Sequence, residues 1–193
     1  MSTPKILAFS GSARKDSFNQ RLVENAAAAA TDAGADVQVI NLRDFPMPLM
    51  DQDLEQAQGE PGNARKLKDL FIAHDGFLIA SPEYNSSISP LLKNSLDWVS
   101  RQAGDETPAV AYKGKTVALL SASPGRLGGI RGLVHVRSVL NTLGALVIAD
   151  QGSVSSAFSA FADDGKLVNK HDMDRVNSVA TQLVDILTRL RSS

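Results

Sequence analysis

The chain has 193 residues, 43% hydrophobic and 21% charged, which suits one globular domain spanning 1–193 with a sizeable core. Lysine and arginine number 20 against 21 acidic residues, so no basic footprint points to nucleic acid and no strong acidic field would steer docking. Cysteine is absent, which excludes disulfides, thiol catalysis and thiolate metal sites; the apolar start is too short for a signal peptide, no window reaches membrane-span length, and a cytoplasmic location is expected.

Short apolar runs alternate with longer helical patterns. "KILAFS" (Lys5–Ser10) reads as a buried strand. Ser17–Gly34 reads as a helix, with Ser17 as N-cap and Gly34 as the stop. Asp36–Leu42 alternates and predicts a second strand. Asn63–Asp75 places Leu67, Leu70, Phe71 and His74 at helical spacing. Strand three is "GFLIAS", from Gly76. Pro90–Gln102 starts with proline in the first turn and carries Leu92, Leu96 and Val99 along one face. Strand four is Gly114–Ala122, followed by a helix over Ile130–Gly144 and strand five over Ala145–Asp150. The last helix runs from Asp172 to Arg191. Two long loops interrupt the pattern, Arg43–Gly62 and Ala103–Gly114, and loops of that length are often functional or contact a partner.

Continuous apolar strands joined by helical crossovers predict an α/β fold: a parallel sheet with both faces covered. Right-handed crossovers make 2-1-3-4-5 the natural order for five strands. Ligands of such sheets bind beyond the carboxyl ends of the strands, where the order reverses, here between strands one and three. Three loops meet that edge. "SGSARKDSFN" (Ser10–Asn19) offers hydroxyls, amides and Arg14 in front of a helix N-terminus, a fit for an anion. A serine-rich turn with its arginine in solvent explains the same residues equally well. The loop lacks the Walker and dinucleotide glycine patterns, so a single terminal phosphate fits better than a pyrophosphate. "SPEYNSSISP" (Ser81–Pro90) carries more polar residues than a turn needs, and "SASPGRLGGIRG" (Ser121–Gly132) has glycines that let backbone approach a flat ligand.

The rest of the polar inventory reads as structural. His74, His135 and His171 are scattered, with no metal spacing. No nucleophile–base pair or nucleophile elbow is visible. Asp97, in a helix, reads as a salt-bridge partner or a solvated acid, and Trp98 as core or interface.

The three loops together resemble one family. "GSARKDSFNQRL" is similar to the G-S-x-R-x-x-S-x-N-x-x-L signature of the NADPH-dependent FMN reductases, and "SPEYNSSISPLLKNSLDWVSR" resembles that family's P-E-Y-N segment. "ALLSASPGRLGGIRG" and "LNTLGA" are similar to its third loop and following helix end, so the likeness spans residues 4 to 150. The resemblance implies a flavodoxin-like three-layer sandwich holding FMN. It assigns the phosphate to Ser12, Arg14, Ser17 and Asn19. Pro82, Glu83, Tyr84 and Asn85 would line the flavin ring, with Ser121, Ser123 and Gly125 on its pyrimidine side. It further implies hydride transfer from NADPH or NADH to FMN, then to a small-molecule acceptor: a quinone, azo compound, free flavin or metal oxyanion. No side-chain acid or base is expected, since the chemistry sits at the flavin N5. Arg126 would assist near the ring or meet the NADPH phosphate. A homodimer or homotetramer is expected, with Tyr84, Trp98 and the Arg43–Gly62 loop as contacts. A flavodoxin-like electron carrier, binding FMN without oxidising NAD(P)H, is the competing reading; near-zero net charge and the extra length count against it. Many family members have glycine where Ser86 stands, so a positive φ there would strain the serine.

Overall fold

The computed structural model describes residues 3–191. Five parallel strands form one sheet in the order β2-β1-β3-β4-β5, as the alternation of elements predicts. They are β1 (Lys5–Ser10), β2 (Asp36–Asn41), β3 (Gly76–Ala80), β4 (Thr116–Ala122) and β5 (Leu146–Val154). Helices α1 (Phe18–Asp32) and α7 (Lys170–Leu190) cover one face. Helices α3 (Gly62–Ala73), α4 (Pro90–Ser100) and α5 (Ile130–Thr142) cover the other. Side chains along each strand alternate between the two layers. In β1, Ile6 and Ala8 pack under α1, while Leu7 and Phe9 face α3 and α4. Small residues at Ala26, Ala27 and Ala30 put the α1 backbone close to the sheet and to α7.

The helix ends follow the residues that the sequence offered. Ser17 caps α1 by accepting from the Gln20 amide at 3.3 Å, and Gly34 ends it at φ 97°. Ser89 caps α4 on the Leu92 amide, with Pro90 in its first turn. His74 lies at the end of α3, buried, with Nδ1 2.6 Å from the Leu70 carbonyl. Asp97 pairs with Lys93 at 2.7 Å.

Three segments differ from the sequence reading. The Arg43–Gly62 loop contains a short 3-10 turn at its start and helix α2 (Gln52–Gln58), capped by Asp51 on the Asp53 and Leu54 amides. The loop is pinned to α4: the Pro48 carbonyl accepts from Trp98 Nε1 at 2.8 Å and from Asn94 at 2.9 Å. Trp98 is thereby fully buried and presents no surface to a second subunit. Strand five runs on past Asp150 to Val154, through a bulge where the register jumps from Val117↔Val147 to Leu119↔Gln151. The Arg137 guanidinium satisfies the irregular backbone there, donating to the carbonyls of Val147, Ile148 and Ala149. Beyond it, the short helix α6 (Ala157–Ala160) leads to a bridge between Phe161 and Leu167.

The Ala103–Gly114 loop is a structural strap. Tyr112, fully buried, donates to the Leu96 carbonyl at 2.8 Å and sits edge-on to Phe71 and Phe77. Burial, with Asp97 nearby, raises its phenol well above the ordinary value. Glu106 reaches back to Lys68, which is 1% exposed on α3, and to Arg65. Its bonds to Lys68 and Arg65 pull its carboxyl down to about 2 from the usual 4.5, against the opposing effect of burial. A depressed carboxylate stabilises the fold fully above the unfolded value and loses that contribution as pH falls through the folded one. Glu106→Gln removes the nearer of the two carboxylates facing the buried lysine and leaves it Glu60 at 3.6 Å and the Arg101 carbonyl, so we expect a loss of about 2 kcal/mol at neutral pH, a fall in Tm of roughly 4–8 °C. Melting curves taken down to pH 2 check the sign: the gap between wild type and variant closes with acid, and a gap that persists there contradicts it.

Candidate functional site

The order of the sheet reverses at β1, so the helices after β1 and β3 diverge to opposite faces and leave a crevice at the carboxyl edge. The loop roots are tied across it. The Gly11 amide donates to the Ala80 carbonyl at 2.9 Å, and the Ser81 amide to Leu120 at 2.8 Å. Ser89 Oγ donates to the Gly11 carbonyl at 2.6 Å.

The first loop builds a cradle for an anion. Ser10 Oγ accepts from the Ser12 amide at 3.2 Å, and Ser12 Oγ accepts from the Arg14 amide at 3.3 Å. Ser12 and Ser17 are 7% and 3% exposed. Ser12 Oγ accepts from the loop and Ser17 Oγ from α1, yet neither donates to a protein acceptor among the described residues. The first N–H groups of α1 lack intrahelical partners by the geometry of any helix start. Arg14 lies over the Phe18 ring, 4.9 Å from its centroid, and supplies the positive charge. Two buried hydroxyl donors, free helix N–H groups and a guanidinium fit a phosphate.

The side-chain amide of Asn19 is committed to the third loop. It pairs with the backbone of Ala122 in both directions: Nδ2 donates to the carbonyl and Oδ1 accepts from the N–H, both at 2.9 Å. The side chain is thus a clamp between the first and third loops.

The second loop forms the opposite wall with Pro82, Glu83 and Tyr84. Tyr84 and Ser87 exchange two backbone bonds of 3.0 Å, closing a tight hairpin whose central residues Asn85 and Ser86 have φ of 51° and 67°. The φ at Ser86 is positive, the condition under which serine bears strain. The Glu83 carboxylate turns from the cleft to Arg131, 2.6 Å away, and to the Gly132 amide at 3.0 Å. Burial acts to raise its pKa, but the bonds from Arg131 and Gly132 outweigh it and hold the carboxyl below its ordinary value. The serines have structural partners as well: Ser81 Oγ donates to Pro82 O, Ser87 meets His135, and Ser89 joins Gly11 to α4.

In the third loop, Ala122, Ser123 and Pro124 reach the cleft. Ser121 does not: it is fully buried, and its hydroxyl donates to the Gly128 carbonyl at 2.6 Å, shaping the loop from behind. Gly125 lies outside the cleft wall, its N–H donated to Ser123 Oγ, and Asn85 sits at the hairpin tip, also outside. The cleft therefore brings together Ser12, Arg14, Ser17, Asn19, Pro82, Glu83, Tyr84 and Ser123. Two aromatic residues complete it that the sequence reading did not single out. Phe18 belongs to the first turn of α1; Phe158, on α6, is 79% exposed and edge-on to Phe18 at 5.4 Å. Among the described residues, no group of acidic or histidine side chains could hold a metal ion, and no helix is long and apolar enough to cross a membrane.

Comparison with known proteins agrees with this geometry. The chain is 31% identical to an NAD(P)H-dependent FMN reductase of Pseudomonas aeruginosa over 188 residues, 97% of each chain. It is 28% identical to a quinone reductase of Escherichia coli, again over 97% of each. The structure of FerB, a flavoenzyme NAD(P)H:(acceptor) oxidoreductase from Paracoccus denitrificans, superimposes with a TM-score of 0.81 at 25% identity, covering 97% of this chain and 98% of that one. The sequence model of the family described as NADPH-dependent FMN reductase matches residues 4–159, which include β1 to β5 and all three cleft loops, and the chain belongs to that family.

Proposed function

We propose that the protein is an FMN-dependent NAD(P)H oxidoreductase that passes reducing equivalents to a small planar acceptor, a quinone in the first instance. One observation carries the reading of the site: the near-buried hydroxyls of Ser12 and Ser17, with protons free to donate, stand beside Arg14 at the start of α1 and open into the same cleft as Pro82–Tyr84 and Ser123. The Ser12 and Ser17 hydroxyls and the first N–H groups of α1 would donate hydrogen bonds to the phosphate of FMN, and Arg14 would balance its charge. Pro82, Glu83 and Tyr84 would hold the ring from one side and Ser123 and Pro124 from the other, largely through backbone groups. Bound FMN supplies hydride acceptance at N5 and onward delivery. Side chains of the cleft do not exchange protons in this scheme. The Glu83 carboxylate is engaged by Arg131 and the Gly132 amide, which hold its pKa below the ordinary value.

Exposed aromatic surface at Tyr84 and Phe158 gives a flat acceptor its rim to dock on. A cytoplasmic homodimer or homotetramer is part of the proposal. With Trp98 buried, Tyr84 and Leu49 of the Arg43–Gly62 loop, 53% and 76% exposed, remain as the expected contacts. Sedimentation at micromolar concentration should give a dimer or tetramer mass, and a lone monomer would sink that part.

The functional test is steady-state oxidation of NADPH with 1,4-benzoquinone. Turnover should require FMN; a preparation that oxidises NADPH equally well without it overturns the proposal. Fluorescence titration then tests the cradle. Arg14→Ala and Ser12→Ala should each weaken FMN binding about tenfold, the loss of one charge-assisted hydrogen bond. Unchanged affinity in both variants would remove the phosphate from this loop.

A further inference from the structure

The Tyr84–Ser87 hairpin carries its own strain. A two-residue loop with both central φ values positive is the primed turn that suits the twist of paired strands, and it favours Asn-Gly. Here Asn85 is followed by Ser86, at φ 67°. A side chain in that left-handed region costs on the order of 1–2 kcal/mol, and asparagine tolerates it better than serine. The hairpin has only its two backbone bonds of 3.0 Å to hold it shut.

Helix α5 supplies the remainder. Arg131 Nε and a terminal nitrogen both reach Glu83 Oε1, at 3.0 and 2.6 Å. Glu83 Oε2 accepts from the Gly132 amide, capping a helix whose own N-cap residue, Gly129, offers no side chain. One turn further on, His135 Nδ1 lies 2.8 Å from Ser87 Oγ. Residues 131 and 135 share a helix face, so the two contacts grip the hairpin at both ends. The helix backbone is seated directly on it. A Cβ at position 132 would stand 3.1 Å from the Ser87 carbonyl oxygen and 3.3 Å from Glu83 Cβ, so glycine is what permits the approach.

We infer that Arg131 and His135 are positioning residues, a two-point clamp by which α5 holds the strained Tyr84–Ser87 hairpin in place and so fixes Tyr84 at the mouth of the cleft for the incoming acceptor. Neither residue lines the cleft; both act through the loop. The acceptor role rests on the proposed oxidoreductase reading, whereas the clamp does not.

The test has a part that needs no flavin. Hydrogen exchange of the Tyr84 and Ser87 amides in FMN-free protein should accelerate about tenfold in Arg131→Ala, by the loss of a charge-assisted bond. His135→Ala should act in the same direction and more weakly, and His135→Gln, which keeps a polar partner for Ser87, should recover most of the protection. Ser86→Gly placed in the Arg131→Ala background should restore protection as well, since a relaxed turn needs less support. In FMN-loaded enzyme, Arg131→Ala should raise the KM for 1,4-benzoquinone about tenfold and change kcat less than twofold, with recovery by Ser86→Gly. Unchanged exchange in both alanine variants, or no recovery from Ser86→Gly, overturns the clamp. Altered exchange in a protein that never binds FMN keeps the clamp and overturns the oxidoreductase reading and the acceptor role.

Discussion

The cleft depends on one pairing, that of the Asn19 side-chain amide with the backbone N–H and C=O of Ala122. Helix α1 and strand β4 are separated in sequence by the whole middle of the chain, and each ends its element in a polar loop. A primary amide matches the N–H and C=O of a single extended residue donor for acceptor, so both hydrogen bonds form at once and both partners are buried. The pairing sets the spacing between the phosphate cradle and the third loop. Everything that a ligand would meet is arranged around that spacing. Ser12, Ser17 and Arg14 stand on one side of it, and Ser123 and Pro124 on the other.

The division of labour among the loops follows from their polar chemistry. The first loop has hydroxyl protons to give, a helix start and a cation, and those are the needs of an anion. The second loop has a carboxylate, which would repel one, and the structure turns that carboxylate onto Arg131 and the N-terminus of α5. What remains facing the cleft is the apolar and backbone surface of Pro82, Glu83 and Tyr84, suited to a planar ring. Ser81, Ser87 and Ser89 have protein partners. They complete the hydrogen bonding of an irregular backbone that has neither helix nor sheet to satisfy it.

Much of this was legible in the residues. The strand order follows from alternating apolar runs and helical patterns, and the crevice follows from the order. The gathering of Ser12, Arg14 and Ser17 at one edge of the cleft follows from serines and an arginine placed before a capped helix. Other features were not legible, for stated reasons. Ser121 shares a strand face with Val117 and Leu119, so it points under α5 instead of into the cleft, and a loop motif alone does not tell one face of its strand from the other. Asn19 was assigned to the phosphate because its loop is, but its partner lies on β4, a long-range contact that local pattern does not carry. Strand β5 was cut at Asp150 because polar residues follow; Arg137 on α5 makes the continuation possible by satisfying the bulge. Phe158 stands in the serine-rich "SSAFSAF", where an aromatic residue was the sole hint of a wall. Helix α2 did have a local signal, Asp51 before "QDLEQ", inside a segment that length alone marked as a loop.

The central claim is that this cleft holds a flavin which accepts hydride from a nicotinamide nucleotide. Anaerobic mixing of the FMN-loaded protein with one equivalent of NADPH tests it most directly. The account predicts rapid bleaching of the yellow flavin absorbance and its return on adding benzoquinone. Flavin that stays oxidised in the presence of both NADPH and NADH would contradict it, and would describe an electron carrier instead.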